Sequence, residues 1–414
     1  MDTKTLRCGL LGRKLGHSYS PAIHERLADY SYRLFEVEPE DLGAFLQEGA
    51  FDGLNVTIPY KKDVIPYCAE LSDTARAIGA VNTLVRRADG TLWGDNTDAY
   101  GFSMLVQSSG ADIAGKKALV FGSGGASATA QYVLRQLGAR EVVVISRHGE
   151  DNYENLDRHA DAQIAVNTTP VGMYPNTGVS PVDLHRLPRL EAALDVVYNP
   201  ARTEFLLQAE ARGLRRANGL LMLAAQAKKS CEDFTGEPVD DAKIFSITKA
   251  LEAQMHNVIL IGMPGSGKTT IGTLVAKRLG RTFVDADSAL EREAGMPIPE
   301  IFRREGEAGF RRRETAVLAE LGRQSGLVLA TGGGSVTREE NYPLLHQNGE
   351  IFCLQRALER LPSAGRPVSQ ALGAQTIYAQ RKPLYARFAD AMIDNNGTPE
   401  AAAAQILEVL GCSC

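Results

Sequence analysis

Apolar residues fall along the chain in short runs separated by stretches of helical period, the alternation expected of an α/β protein. CGLLG (8–12) and GLNVTIP (53–59) read as strands, and 21–30 and 41–48 carry helical spacing. A polar turn at 112–115 leads into the apolar run 117–121, a glycine-rich loop, a helix over 126–137 stopped by Gly138, and a strand at 141–145. That is a complete strand, loop, helix, strand unit, as a right-handed crossover requires. Further strands are predicted at 163–167 and 193–197, and helices at 203–212 and 220–235. Gly236-Glu-Pro238 breaks the pattern, and a short helical segment runs on to Gln254. The run 258–261 then opens a second α/β unit that continues to the end.

The second unit begins with the sharpest signal in the chain. Gly262-Met-Pro-Gly265-Ser266-Gly267-Lys268-Thr269-Thr270 follows a strand and matches the phosphate-cradling P-loop. Its glycines let backbone N–H groups turn onto phosphate oxygens, and the following helix adds its positive end. Gly262, Gly265, Ser266, Gly267, Lys268, Thr269 and Thr270 are the predicted ATP-binding residues, with Lys268 reaching the terminal phosphates and Thr269 toward Mg²⁺. The helix after it places Ile271, Leu274, Val275 and Leu279 on one apolar stripe.

At 414 residues the chain is long for one core, and roughly two to three domains are expected. The formal net charge of −5, with basic residues scattered apart from Arg311-Arg312-Arg313, argues against a nucleic-acid partner. No apolar run has transmembrane length and no signal peptide is recognisable, so no membrane partner is expected. The six cysteines, at 8, 68, 231, 353, 412 and 414, show no metal-ligand spacing and fit a reduced, cytoplasmic protein.

The first glycine loop reads Gly122-Ser123-Gly124-Gly125-Ala126-Ser127, a dinucleotide fingerprint with serine in place of the third glycine. The next strand ends in Ser146-Arg147-His148, with no carboxylate for a ribose hydroxyl. An arginine there suits the 2′-phosphate of NADP, and the spacing alone suits a solvated loop arginine equally well.

Over roughly residues 1–245 the chain resembles shikimate dehydrogenase. The resemblance is carried by Ser18-Tyr-Ser20-Pro21, Asn55-Val-Thr57-Ile-Pro59-Tyr-Lys61, Gly79-Ala-Val-Asn82-Thr83 and Asn96-Thr97-Asp98. It continues through the glycine loop to Asn167-Thr-Thr-Pro170-Val-Gly-Met173, Asp195-Val-Val-Tyr198-Asn199-Pro200 and Gly219-Leu-Leu-Met222-Leu-Ala-Ala-Gln226. It implies Lys61 and Asp98 as the catalytic pair, with Ser18, Ser20, Thr57, Asn82, Tyr198 and Gln226 on the substrate. It also implies Gly122, Ser123, Gly124, Gly125, Ala126, Ser146, Arg147 and Met222 on NADP. Singly, each has an ordinary reading as surface charge, cap or turn, and only their joint order selects the chemistry. The chain departs from the pattern at Glu25, where many relatives have asparagine, and in a short stretch over 146–161.

Roughly residues 256–410 resemble shikimate kinase. Besides the P-loop, the carrying residues are Asp285-Ala-Asp287 closing the second strand, Phe310-Arg311, Gly332-Gly333-Gly334, Gly365-Arg366-Pro367 and Arg381-Lys-Pro383-Leu384-Tyr385. The resemblance implies Asp287 at the acceptor hydroxyl as a catalytic residue alongside Lys268, and Thr269 and Asp285 at the metal. Arg311, Gly333, Gly334 and Arg381 would bind shikimate, and Arg366 would meet ATP from a lid that is short for the family. Arg381–Tyr385 is expected to open or flank a helix.

The fold expected is α/β. A substrate-binding domain covers 1–101 with helices at about 218–248, a Rossmann-like NADP-binding domain 102–217, a linker 249–255 and a P-loop kinase domain 256–414. The expected activity is NADPH-dependent reduction of 3-dehydroshikimate to shikimate followed by ATP- and Mg²⁺-dependent phosphorylation to shikimate 3-phosphate, in the biosynthesis of chorismate. An NAD-linked quinate/shikimate dehydrogenase, a shikimate sensor with one silent half, and a kinase for another alcohol are the alternatives. A homodimer is left open.

Overall fold

The computed structural model describes residues 5–16, 18–361 and 373–411. Its contacts divide the chain into two compact units. The first draws on 1–173, 179–198 and 205–250, and the second on 251–414 with the short segments 174–178 and 199–204.

The first unit holds two sheets. One contains β1 (Arg7–Gly12), β2 (Ser31–Glu36), β3 (Gly53–Val56), β4 (Cys68–Leu71), β5 (Thr83–Arg86) and β6 (Leu92–Asp95), in the order β2-β1-β3-β5-β6-β4. It is mixed: β3, β5 and β6 pair antiparallel, while β1 pairs parallel with β2 and β3. The other sheet, β7 (Lys117–Phe121), β8 (Glu141–Ile145), β9 (Ile164–Asn167), β10 (Ala192–Asp195) and β11 (Arg215–Ala217), is wholly parallel in the order β11-β10-β9-β7-β8. Counted from β7, that is the doubly wound 2-1-3-4-5 order, with its switch point between β7 and β9. β7 is buried throughout, as a strand covered on both faces must be. Even Lys117 is buried there, its ammonium paired with Glu141 at 3.3 Å and Asp161 at 3.1 Å.

Helix Leu220–Thr235 returns to the first sheet and packs on helix Asp98–Ser109. Gly101 makes the close approach: a Cβ there would lie 2.6 Å from the Met222 carbonyl oxygen and 3.1 Å from Gln226 Cβ. Gly101→Val is therefore expected to cost about 1–3 kcal/mol through overpacking. It should also displace Met222 and Gln226, and thermal unfolding together with the KM of the reduction expected of this unit checks both effects.

The second unit is built on β12 (Asn257–Ile261), β13 (Thr282–Asp285), β14 (Leu327–Ala330), β15 (Gly349–Gln355) and β16 (Ala391–Asp394), all parallel, in the order β13-β14-β12-β15-β16. The chain leaves β12 toward β13 on one side and β14 toward β15 on the other. The switch point, and hence the crevice, lies beyond the carboxyl ends of β12 and β14. Ile259, Ile261, Leu329 and Ile351 form one face of its core with Phe310, Leu318 and Phe388, while Val258, Leu260 and Phe352 form the other with Ile271, Val275 and Ile406.

Three local expectations change. Residues 249–255, expected as a linker, are the last turns of helix Ala242–Met255. Asp285 ends β13, but Asp287 lies in the first turn of the next helix, Ala286–Ala294, which Asp285 caps. Arg381 does not flank a helix; it lies inside Ala374–Phe388, with Pro383 in the interior. Burial of Arg381, Tyr385 and Phe388 on one face outweighs the backbone hydrogen bond that the proline removes. No helix among the described residues is long and apolar enough to cross a membrane.

Candidate functional site

Each unit carries a cavity at the carboxyl ends of its strands. In the first unit a cavity of about 270 Å³ is lined by Ser18, Ser20, Thr57, Lys61, Asn82, Asp98, Tyr198, Met222 and Gln226, so every predicted substrate-side residue faces it. Lys61 sits in the turns after β3, its carbonyl held by the Val81 N–H at 2.7 Å. Asp98 is the first residue of its helix, where the dipole favours a carboxylate. The Lys61 ammonium meets Asp98 Oδ2 at 2.5 Å, and both side chains are largely sequestered from water.

Asn82 is fixed from behind. Its Oδ1 accepts from the Thr97 N–H at 2.7 Å and from the Thr97 and Thr83 hydroxyls, each at 3.1 Å. Both threonine hydroxyls reach Ser230 Oγ at 2.9 Å, and Asn55 donates to it at 2.8 Å. With its oxygen so engaged, Asn82 offers its amide N–H groups to the cavity. This buried network joins three distant segments, and no local spacing in the sequence announces it. At the cavity edge Tyr198 meets Tyr19 edge to face at 6.1 Å, and burial pushes its phenol above the usual range.

The glycine loop opens at the β7/β9 switch point. Gly122 has φ +105°, open only to glycine, and packs on Thr168 and Thr169. Gly124 caps helix Gly125–Gln136, whose N-terminus faces the loop. A Cβ on Gly125 would stand 4.0 Å from Lys61 Cδ, so the loop adjoins the Lys61–Asp98 ion pair. Ser127, in the third glycine position, is fully buried and accepts from Gln131 at 3.2 Å. At the end of β8 Arg147 is exposed, and among the described residues it is in no ion pair. The fold brings Asp151 back to Ser146, whose N–H donates to the Asp151 carbonyl at 3.2 Å, but the Asp151 carboxylate is taken by His159 Nε2 at 2.8 Å.

The second cavity, about 630 Å³, is lined by Gly265, Gly267, Lys268, Thr269, Thr270, Asp285, Asp287, Arg311, Gly333, Gly334 and Arg381. Gly262 and Ser266 lie behind this wall, with Ser266 fully buried, and Arg366 falls outside the described residues. Thr269 Oγ1 donates to Asp285 Oδ2 at 3.0 Å, and Asp285 Oδ1 accepts from the N–H groups of Asp287 and Ser288 at 3.1 and 3.2 Å. Asp287 is pushed up to about 6, first by burial and then by Asp285 and Glu314, against the pull of Lys268 and Arg311.

Arg311 and Arg381, both 8% exposed, converge from different helices on the Gly332–Gly334 loop. Arg311 stands beyond a break at Gly306 (φ +68°) in helix Ile298–Gly322, and Glu314 fixes its Nη1 at 2.7 Å while its Nε is buried without a partner. Arg381 donates to the Gly333 carbonyl at 2.9 Å and Tyr385 donates to it at 2.5 Å. The glycines are demanded by crowding. A Cβ on Gly332 would stand 2.7 Å from Glu314 Oε1 and 2.8 Å from Asp287 Oδ1, and one on Gly334 would overlap the Arg311 guanidinium. Two residues of this wall lie outside the motifs legible in the sequence: Glu314, although its i,i+3 spacing from Arg311 is visible there, and Arg356.

Comparison with known proteins agrees with this division. The family model "Shikimate dehydrogenase substrate binding domain" matches residues 10–84 and the family model "Shikimate kinase" matches 264–411. A shikimate dehydrogenase (NADP(+)) of Clostridium perfringens strain SM101 is 36% identical over 267 residues, 59% of this chain and 98% of that protein. The shikimate 5-dehydrogenase of Thermus thermophilus, solved with NADP(H) and shikimate, aligns with a TM-score of 0.54 and 33% identity over 59% of this chain and 99% of that one. A quinate dehydrogenase of Corynebacterium glutamicum solved with NAD aligns with a TM-score of 0.54 and 27% identity over 60% and 98%. The chain belongs to the shikimate dehydrogenase family and joins to it a shikimate kinase domain, two activities of the shikimate pathway in one polypeptide.

Proposed function

We propose that the first unit reduces 3-dehydroshikimate to shikimate with NADPH and that the second transfers the γ-phosphoryl group of Mg·ATP to the shikimate 3-hydroxyl, in the cytoplasm. The observation that carries this reading is that each cavity gathers a complete set of reacting groups: Lys61 with Asp98 in one, Asp287 between the P-loop and two arginines in the other. We assign substrate binding to 1–101 with 218–248, cofactor binding to 102–217 and phosphoryl transfer to 256–414.

In the dehydrogenase cavity Ser18 and Ser20 bind the substrate carboxylate, and Thr57, Asn82, Tyr198 and Gln226 orient the ring and its hydroxyls. NADPH, when bound, supplies a hydride to the carbonyl carbon. Lys61 supplies the proton to the carbonyl oxygen and stabilises the charge developing there, and Asp98, at 2.5 Å, holds the ammonium in place. Residues fitting this cofactor are the open glycine loop, Met222 in the cavity wall, and Ser146 with Arg147 at the end of β8. A guanidinium at that position, with Asp151 already engaged by His159, favours a 2′-phosphate over a ribose hydroxyl. That favours NADPH over the NAD held by the quinate dehydrogenase relative.

In the kinase cavity Asp287 accepts the proton of the attacking hydroxyl, and Arg311 and Arg381 clamp the shikimate carboxylate with the Gly333 and Gly334 backbone. Lys268 and the P-loop amides hold the phosphates. A hydroxyl and a carboxylate from Thr269 and Asp285 suit Mg²⁺, which keeps most of its waters and, when bound, neutralises phosphate charge. Since Asp287 titrates at about 6 and must be ionised to take the proton, kinase kcat/KM is expected to level off above pH 7 and to fall about tenfold for each unit below about pH 6. A pH–rate profile with shikimate limiting checks this.

The reading is tested by two assays on one preparation: NADPH oxidation with 3-dehydroshikimate, compared with NADH, and ADP formation with shikimate. Both reactions should proceed, the first faster with NADPH. Preference for NADH, or ADP formed with other alcohols and not with shikimate, would reject the corresponding assignment.

A further inference from the structure

We propose that Arg356 is a resident phosphate-binding residue of the kinase site, its guanidinium holding anionic oxygens of the nucleotide's polyphosphate beside the P-loop. The inference rests on the reading of the second unit as an ATP-dependent kinase. Arg356 is the first residue after β15, and β15 pairs with β12 so that Ile261 stands opposite Cys353. The chain leaving β15 therefore runs alongside the chain leaving β12 into the P-loop. Arg356 Nη1 approaches the Gly265 carbonyl at 3.4 Å. Its Nε is buried without a hydrogen-bond partner, and among the described residues no carboxylate pairs with it. The side chain lines the main cavity with Lys268 and Asp287, and also an adjoining cavity of about 260 Å³.

A guanidinium with donors unspent in a part-buried wall is stabilised by an anion, and it meets phosphate as a fork. The other two arginines of the cavity are committed to the acceptor side, Arg311 by Glu314 and Arg381 by the Gly333 carbonyl. Arg356 donates to a P-loop carbonyl whereas Arg311 and Arg381 bond to Glu314 and Gly333, so the cations divide between the two substrates: two for the acceptor carboxylate, and Arg356 with Lys268 for the nucleotide.

The test uses the full-length chain with Arg356→Gln and Arg356→Lys. ADP affinity is measured by calorimetry, and KM for ATP and shikimate by steady-state kinetics. Loss of a charge-assisted pair should weaken ADP binding and raise KM for ATP by about 10- to 100-fold in Arg356→Gln. Arg356→Lys should lie between that variant and wild type, because a point charge replaces a fork. KM for shikimate should stay within about twofold in both, a pattern that a merely structural role would not produce. Wild-type nucleotide affinity in either variant would overturn the proposal, as would a change confined to shikimate. If Arg356→Gln does not fold, Arg356→Lys alone decides by the same criterion. Failure of the wild-type chain to bind ADP would instead remove the kinase reading on which the proposal rests.

Discussion

Lys61→Ala is expected to lower 3-dehydroshikimate reduction by about 10²- to 10⁴-fold while shikimate phosphorylation stays at its wild-type rate. The range is that of one positioned proton donor, and the geometry supports assigning that role to Lys61. Its ammonium is held at 2.5 Å by Asp98 inside the cavity, and a backbone bond from Val81 fixes the turn that carries it. Removing the ammonium also leaves Asp98 without its cation beside a substrate acquiring negative charge, so the loss should appear in kcat more than in KM. Separate assays of the two activities on the purified variant check this. A Lys61 variant that lost both activities would contradict two independent sites.

Asp287→Asn should do the reverse, lowering phosphorylation by about 10²- to 10⁴-fold and leaving reduction intact. It carries a second expectation that a surface aspartate would not. Burial and the charges of Asp285 and Glu314 push Asp287 up to about 6, so its ionised form is disfavoured in the folded state. An acid with a raised folded value destabilises fully above that value, and the penalty disappears below its unfolded value. The Asp287→Asn substitution should therefore raise the stability of the second unit at pH 7 by at most about 3 kcal/mol and change little at pH 4. A variant that is inactive yet melts higher at pH 7 is the signature of a strained catalytic carboxylate. An inactive variant that melts lower would mark Asp287 as structural.

The parts of the fold that are legible in the sequence are those whose burial is two-sided or whose boundaries are punctuated. β7 and β8 are short apolar runs bounded by turns and match their predicted spans residue for residue, as does helix Leu220–Thr235 before Gly236. β2 escapes the pattern because Ser31–Glu36 is an edge strand with polar and apolar positions mixed, and its exposure follows no clean alternation. β5 and β6 escape it too, although Asp89-Gly90 between them is a hairpin signal, closed by a hydrogen bond from Arg87 N–H to the Thr91 carbonyl at 2.8 Å.

For the sites, motif residues are legible because phosphate cradles and carboxylate clamps restrict residue type and spacing together. The groups that orient them are not. Asn82 is aimed by Thr97, Thr83 and Ser230, and Ser230 arrives on a helix more than a hundred residues later. Arg356 is an isolated arginine after a strand, and only the pairing of β15 with β12 carries it to the P-loop.

One reaction tests the central claim most directly: the full-length chain incubated with 3-dehydroshikimate, NADPH, ATP and Mg²⁺, with products identified by mass spectrometry. Shikimate 3-phosphate should form only when both NADPH and ATP are present, and shikimate should accumulate when ATP is withheld. Shikimate that accumulates without phosphate in the complete mixture, or no conversion by folded protein, would contradict the reading of the chain as two consecutive enzymes.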